Sequence, residues 1–187
     1  MRADVLGGFV LLDNYMADDL SVVNSARVSF GKRSTEMEEA DKKLIAFLMR
    51  EKHGTPFEHN SFRFHVQAPI FVAREWFRHR IGSFNELSGR YTEIPEKWYV
   101  PDPKHVRQQE GKPGHYQFTP MDDATGNEMS KVIDEQISRA FRTYHYMLTR
   151  GVAKEVARTV LPVGAMTEFW WTVNARSLMN FLSLRVA

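Results

Sequence analysis

The sequence contains no cysteine among its 187 residues. Disulfides, iron–sulfur clusters, thiolate zinc sites and cysteine nucleophiles are therefore excluded from this chain. A strong charge excess is also missing, because the net charge is only +2. Such a balance predicts no long polyanion, and so no nucleic acid, as the partner. Any anion-binding function must come from local clusters of basic side chains.

Long apolar runs are missing as well. No stretch approaches the roughly 20 apolar residues that span a bilayer, so no membrane partner is expected. The short apolar stretch 7–12 lies between Asp4 and Asp13, and no small-residue cleavage site follows it. This pattern is not typical of an export signal, and we expect a cytoplasmic protein. A hydrophobic content of 43% is enough to fill one core, which predicts a single domain over residues 1–187.

The order of the periodic segments favours an α+β fold with a small mixed or antiparallel sheet packed with several helices. Alternating apolar residues predict strands in the segments 3–14, 62–66 and 167–173. Apolar residues at helical spacing predict helices over 18–28, 35–53, 70–82, 127–150 and 152–162. Asn174 is predicted to cap a last helix.

Residues 92–126 form a long polar stretch that we expect to be a loop. Its prolines are Pro95, Pro101, Pro103, Pro113 and Pro120. Proline interrupts both helices and the inner strands of sheets. A loop of this length within a compact domain is usually functional or mobile.

The densest group of chemically active residues lies at 74–91, where the predicted helix passes into a polar segment. Its cationic or ionisable side chains are Arg78, His79, Arg80 and Arg90. Guanidinium groups bind phosphate with two hydrogen bonds, and Gly89 lets backbone N–H groups approach a ligand. An anionic ligand is the natural inference. The alternative is a solvated helix end whose arginines pair with Glu75 and Glu86.

Two other kinds of site are not indicated. Ser88 precedes a glycine, but the segment has no Gly-x-Ser-x-Gly elbow that would make this serine a nucleophile. The histidines, among them His53, His59 and His79, lack a tight ligand spacing such as His-Glu-x-x-His, so no metal is expected. His53 also suits the negative end of a helix dipole, which leaves a structural interpretation open beside a functional one.

Residues 78–91 match the pattern R-H-R-x-x-S-x-N-E-x-S-x-R-Y at every fixed position. This pattern resembles the signature of the flavin-dependent thymidylate synthase family. The resemblance extends to residues 53–59, to Ala157-Arg158 before Leu161-Pro162, and to residues 172–181. It covers nearly the whole chain.

The resemblance implies reductive methylation of dUMP to dTMP, with methylenetetrahydrofolate as carbon donor and FAD passing a hydride supplied by NADPH. Family members use no active-site cysteine, which agrees with the independent absence of cysteine here. The uracil is activated by binding, because a guanidinium near O2 and N3 stabilises charge that develops on the ring. That arginine matches Arg185. Ser88 and His53 are the other expected catalytic positions, Ser88 for positioning and His53 for stacking or proton handling.

The same resemblance implies two sets of binding residues. The residues expected to hold dUMP are Glu75, Arg78, Glu86, Leu87, Ser88, Gly89, Arg90, Arg158 and Arg185. The residues expected to hold FAD are Thr55, Arg78, His79, Arg80, Glu86, Asn174, Arg176 and Asn180. Arg90 and Arg158 are expected at the phosphate, and Tyr91 close to the folate or nucleotide. Relatives often have glutamine at position 75, where glutamate would face a dianionic phosphate unless an arginine lies between them.

The resemblance also implies a homotetramer whose active sites borrow residues from several subunits. Relatives continue past the Leu184-Arg185 pair with roughly one further helix-bearing segment, so a tail is expected that these 187 residues do not include. Two other interpretations remain open: a nucleotide- or RNA-binding module that uses the basic cluster and aromatics, and an oligomeric scaffold whose arginines bridge subunits. Bound flavin separates the enzyme from both.

Overall fold

The structure, a computed structural model, describes residues 1–185. Its strands are β1 (Arg2–Val5), β2 (Gly8–Met16), β3 (Ser61–Pro69), β4 (Ser83–Glu86), β5 (Arg107–Lys112), β6 (His115–Pro120) and β7 (Met166–Asn174). Its helices are α1 (Asp19–Arg27), α2 (Glu39–Arg50), α3 (Ile70–Trp76), α4 (Asp123–Thr149), α5 (Lys154–Ala157) and α6 (Ala175–Arg185). Five strands form one sheet in the order β1–β2–β3–β7–β4, and every neighbouring pair is antiparallel. The predicted α+β class is confirmed, with an antiparallel sheet.

Alternation along β3 and β7 gives the sheet one apolar face. Val66, Phe169 and Trp171 point to this face and are at most 2% exposed. Helices α3 and α6 cover it, with Trp76 and Phe181 packed against the Trp171 ring at centroid distances of 5.3 and 5.0 Å. Because α6 directly follows β7, the end of β7 and the start of this helix are held close together.

Two further cores support the sheet. One joins α1, α2 and the 3₁₀ helix Thr55–His59 through Val22, Leu48 and Phe57. The other lies along α4, where Phe141 and Tyr144 are fully buried. The second core also fixes the segment between α5 and β7. Apolar packing therefore anchors the chain both before and after β7.

Side-chain caps define the starts of three helices. Asp18 accepts the Ser21 N–H at the start of α1, and Asp122 accepts the Thr125 N–H at the start of α4 at 3.0 Å. The Ser21 and Thr125 hydrogen bonds lower the pKa of both carboxyl groups below their ordinary value of 3.8. Asn174 accepts the N–H of Ser177 at 2.8 Å, so the predicted cap of α6 is confirmed.

The start of α2 differs from the prediction. The helix begins at Glu39 rather than at Thr35, and its capping box is formed by Glu38 and Asp41. Asp41 is fully buried, accepts the Glu38 N–H at 2.9 Å and pairs with the guanidinium of Arg27. A buried carboxylate needs such partners, and they fix the helix start one turn later than the predicted start at residue 35.

The helix expected over 70–82 ends at Trp76, and the polar segment after it contains strand β4. Gly82 explains how this strand approaches β7. A Cβ atom at Gly82 would lie 2.8 Å from the Trp171 indole nitrogen and 3.0 Å from the Thr172 carbonyl oxygen. Only a glycine therefore lets the chain run this close to β7.

Residues 92–126, expected to be a loop, contain the β5–β6 hairpin and the start of α4. The hairpin turns at Pro113-Gly114, where Gly114 has φ 84. Proline followed by a glycine with positive φ is the combination that a type II turn requires. The expectation of a loop was wrong for residues 107–120, where Pro113 forms the turn of a hairpin and Pro120 ends its second strand.

Within residues 1–185 no helix is both long enough and apolar enough to cross a membrane.

Candidate functional site

A cavity of about 700 Å³ lies where β7 ends and α6 begins. The sequence predicted seven of its lining residues: Arg78, His79, Arg80, Asn174, Arg176, Asn180 and Arg185. Local structure explains the grouping. The segment that links α3 to β4 carries the first three, while α6 carries Arg176 and Asn180 four residues apart and so on one face. We call this the α6 cavity.

The α6 cavity presents polar groups that lack a partner within residues 1–185. Arg78 and Arg80 are exposed, and no acidic side chain of the described chain forms an ion pair with them. The indole Nε1 of Trp171, which lines the cavity, is buried without a hydrogen-bond partner among the described residues. The free guanidinium groups are suited to an anionic ligand.

Arg185 is held at the wall of the α6 cavity by two neighbours. Its Nε donates to Nε2 of His79 at 3.2 Å, and its Nη2 lies 3.5 Å from the Glu75 carbonyl oxygen and 3.7 Å from the Glu75 carboxylate. Glu75 thus lies beside the guanidinium group of Arg185. The pair is largely exposed, so it orients Arg185 more than it stabilises the fold.

A second cavity of about 1010 Å³ contains His53 and Thr55 and borders the first one. Arg176 lines both cavities. Gly54 makes this possible, because a Cβ there would lie 2.5 Å from Nε of Arg176. Arg176 also pairs with Glu58. His53 packs edge-on to Phe47 at 5.9 Å. The two cavities together give an elongated surface with Arg176 between them.

The remaining predicted residues lie at the other end of β4. Glu86 accepts the Thr167 hydroxyl at 2.7 Å, and the Leu87 N–H donates to the Glu168 carbonyl at 2.8 Å. Both residues extend the pairing of β4 with β7 and border a small cavity of about 210 Å³. They therefore position the Ser88–Arg90 loop that follows.

This loop meets the segment after α5. Gly89 is buried, and a Cβ there would lie 3.1 Å from Cδ of Arg158. Nε of Arg90 is 3.3 Å from the Glu155 carboxylate, and the Arg90 N–H lies 3.4 Å from the Ser88 hydroxyl. We call Ser88, Gly89, Arg90 and Arg158 the loop cluster. Tyr91 beside it is 78% exposed, with the Arg90 guanidinium 5.8 Å from its ring centre.

The α6 cavity and the loop cluster are separated in one chain. Ser83 pairs with Thr172 of β7. The N–H of Leu87 donates to the carbonyl of Glu168, which lies four residues before Thr172 in the same strand. At about 3.3 Å per residue the two levels are roughly 13 Å apart. The predicted dUMP residues are therefore split, with Glu75, Arg78 and Arg185 at one end of β4 and the loop cluster at the other.

Some residues of these sites were not expected from the sequence. Glu58 and Glu155 pair with Arg176 and Arg90, and Trp171 and Leu184 line the α6 cavity. Glu58 lies in a segment already singled out by the resemblance, but no sequence spacing connects Glu155 to Arg90. Among residues 1–185 there is no group of three or more His, Asp or Glu side chains suited to a metal ion.

Comparisons with known proteins agree with this geometry. The model of the thymidylate synthase complementing protein family matches residues 10–187. A flavin-dependent thymidylate synthase of Thermosipho africanus is 50% identical over 178 residues, which are 95% of this chain and 77% of that protein. One of Thermotoga neapolitana is 47% identical over 186 residues, 99% of this chain and 80% of that protein. The crystal structure of a UMP/dUMP methylase PolB from Streptomyces cacaoi bound with 5-Br UMP is 42% identical, with a TM-score of 0.85 over 94% of this chain and 75% of that chain.

Proposed function

The chain belongs to the thymidylate synthase complementing protein family, and we propose that it carries out the FAD-dependent reductive methylation of dUMP to dTMP. The carbon donor in this proposal is 5,10-methylenetetrahydrofolate and the reductant is NADPH. One observation carries it beyond family membership: two arginine-rich surfaces flank β4, one beside unpaired polar groups and the other beside a Ser-Gly turn. The first suits a flavin dinucleotide and the second a nucleotide phosphate.

FAD, when bound, supplies the hydride for the reduction. The residues that would hold it are those of the α6 cavity, together with Thr55 across Arg176. Arg78 and Arg80 offer charge to a diphosphate, and Asn180 offers an amide to ring edges. Trp171 keeps one wall of the cavity apolar and shields the site from water.

Arg185 activates the uracil in this proposal. Its guanidinium, oriented by His79 and the Glu75 carbonyl, stabilises negative charge at O2 and N3 when C5 attacks the one-carbon unit. Ser88 positions the ring and His53 stacks or moves a proton beside it. None of these steps needs a thiolate, which a chain without cysteine does not possess.

Arg90 and Arg158 hold the phosphate of dUMP. Both are exposed side chains next to the buried Gly89, where the missing Cβ lets Arg158 pack closely against the Ser88–Arg90 loop. Glu155 is the counter-ion of Arg90 in the free chain at 3.3 Å. The phosphate takes the place of the Glu155 carboxylate at Arg90. The loss of this exposed ion pair costs little free energy, because such pairs stabilise by about 1 kcal/mol or less.

The proposed assembly is a homotetramer with shared active sites. Its support is the separation of roughly 13 Å between the two levels of β4, which keeps Arg78 and Arg185 away from Arg90 within one chain. A second copy brings its own α6 cavity to the loop cluster of the first. The exposed aromatic and charged residues on the uncovered face of the sheet, such as Trp170 and Arg63, also suit contacts between subunits.

The test is anaerobic NADPH oxidation by the FAD-loaded protein, with and without dUMP and methylenetetrahydrofolate, followed by an assay for dTMP. We expect dTMP only when every component is present. A protein that takes up no flavin, or that oxidises NADPH with all components and forms no dTMP, contradicts the proposal.

A further inference from the structure

The β5–β6 hairpin stands apart from the rest of the chain. Its strands pair with each other and with no other strand of residues 1–185, and all twelve of their residues are exposed. A two-stranded hairpin is at best marginally stable in water unless a third element packs against it. The hairpin therefore needs a partner surface that the single chain does not provide.

One face of the hairpin is aromatic. Tyr116 and Phe118 are two residues apart on β6 and so point to the same face, with ring centres 6.2 Å apart. The guanidinium of Arg107, on the neighbouring strand, lies 5.3 Å from the centre of the Phe118 ring. The opposite face carries polar side chains such as Gln108 and Gln117, which pair with Thr119 and Glu110. This two-sided pattern is typical of a strand pair with one buried face.

An apolar groove of about 440 Å³ is uncovered elsewhere on the chain. It runs between the start of α3 and the third and fourth turns of α4, and Phe71, Val132 and Ile137 line it. Val132 is 51% exposed and Phe71 is 40% exposed. The groove is large enough for aromatic side chains, and aromatic residues that fill apolar pockets supply much of the energy of protein interfaces.

The charges around the two surfaces are complementary. The residues 104–115, which include the turn before β5, carry Lys104, Arg107 and Lys112 against Glu110. The first half of α4 beside the groove carries Asp123, Glu128, Asp134 and Glu135 against Lys131. A basic arm and an acidic rim attract each other and fix the orientation of docking.

We propose that the hairpin is an arm that docks its Tyr116–Phe118 face into the α4 groove of a second copy of this chain. The arm does not occupy the groove of its own chain, since Phe118 is 51% exposed there. Because the arm and the groove lie on the same chain, two copies exchange arms reciprocally and the contact closes as a symmetric pair. This contact is independent of the reaction and of flavin binding.

The absence of cysteine makes a disulfide test unambiguous. The variant carrying Phe118→Cys and Val132→Cys is oxidised in its assembled state and run on non-reducing gels. We expect a covalent dimer that reductant dissolves, with peptide mapping linking positions 118 and 132. The matched control carries Gln117→Cys, on the opposite face of β6, with the same Val132→Cys and should give at most a tenth of the dimer.

Three outcomes overturn the proposal. A 118–132 link within one chain means that the arm covers its own groove. Equal yields of covalent dimer from the 117 and 118 variants mean that the cross-links form by random collision and not by docking of one face. No link at all, in a protein whose circular dichroism and assembly match the parent, means that the two surfaces do not meet.

A second measurement uses no cysteine. Tyr116→Thr with Phe118→Thr keeps the β propensity of the strand but removes the rings, and Gln108→Thr with Gln117→Thr is the control on the other face. Sedimentation over a dilution series should show subunit dissociation at a concentration at least tenfold higher for the first pair. An unchanged dissociation in both pairs contradicts the docking of the aromatic face.

Discussion

The two ends of β4 carry arginines in different surroundings. At the end near α6, Arg78 and Arg80 have no acidic partner within the described chain and lie beside amide side chains and an unpaired indole N–H. At the far end, Arg90 already has a counter-ion in Glu155 and packs beside a buried glycine. In the proposed function, the first surface binds the highly charged FAD, and at the second a phosphate takes the place of the Glu155 carboxylate. A four-residue strand thus separates two kinds of anion site.

The largest effect is expected at the far end. Arg90→Ala should weaken dUMP about 10- to 150-fold, because charge-assisted bonds to a phosphate stabilise by about 1.5–3 kcal/mol. FAD affinity should stay within about twofold, since the residues proposed to hold FAD are those of the α6 cavity and do not include Arg90. Calorimetric titration of both ligands measures this, with Arg142→Ala on α4 as the control. Equal losses for the two ligands contradict the assignment.

Gly82 lies just before β4 and allows the close contact between β4 and β7, which a substitution can test. Gly82→Ala places a methyl group 2.8 Å from the Trp171 nitrogen and 3.0 Å from the Thr172 carbonyl. Because the second atom is backbone, we expect a loss of about 1–3 kcal/mol of unfolding free energy, as for other overpacked sites. Urea denaturation measures it, and Ser83→Ala at the neighbouring exposed position is the control. A stability equal to that of the parent shows that β4 does not lie tightly against β7.

The sequence identified nearly all residues of both ends but not their separation. The pattern from Arg78 to Arg90 reads as one polar cluster, because Ser-Phe-Asn-Glu offers a single apolar residue, Phe84, as a sign of a strand. The register between β4 and β7 decides the distance between the two ends. The pairing partners are more than 80 residues apart in sequence, so they leave no local signal. The β5–β6 hairpin was also not predicted, because its exposed strands carry few apolar residues. Long helices such as α4 were predicted well because apolar packing repeats along their whole length.

A smaller effect is expected from the counter-ion. Glu155→Gln removes a carboxylate 3.3 Å from Arg90, so dUMP no longer competes with it. The pair is more than half exposed, and we therefore expect a gain in dUMP affinity of about fivefold or less. The control is Glu135→Gln, whose partner Lys131 lies on the same helix at 3.8 Å. A loss of dUMP affinity on Glu155→Gln contradicts the exchange of anions at this end.

The smallest effect belongs to neither end of β4. The pKa values of Asp18 and Asp122 are lowered by the helix caps that they form, so the caps stabilise the fold fully above the ordinary value of 3.8. This stability is lost as the pH falls through the lowered values. Asp18→Asn with Asp122→Asn keeps the caps without the titration, and its acid unfolding below about pH 4 should be less steep. An identical acid transition contradicts the role of these caps.

The central claim is that the two ends of β4 form one active site only when they come from different subunits. Arg78→Ala and Arg90→Ala chains, each with its own tag, are co-expressed and the mixed oligomer is purified through both tags. Each variant alone should form little dTMP. In the mixed oligomer about one quarter of the sites combine both intact arginines, so dTMP formation should recover to about that fraction of the parent. Mixed oligomers that bind FAD and show no recovery would place both arginines in the site of one chain and contradict the account.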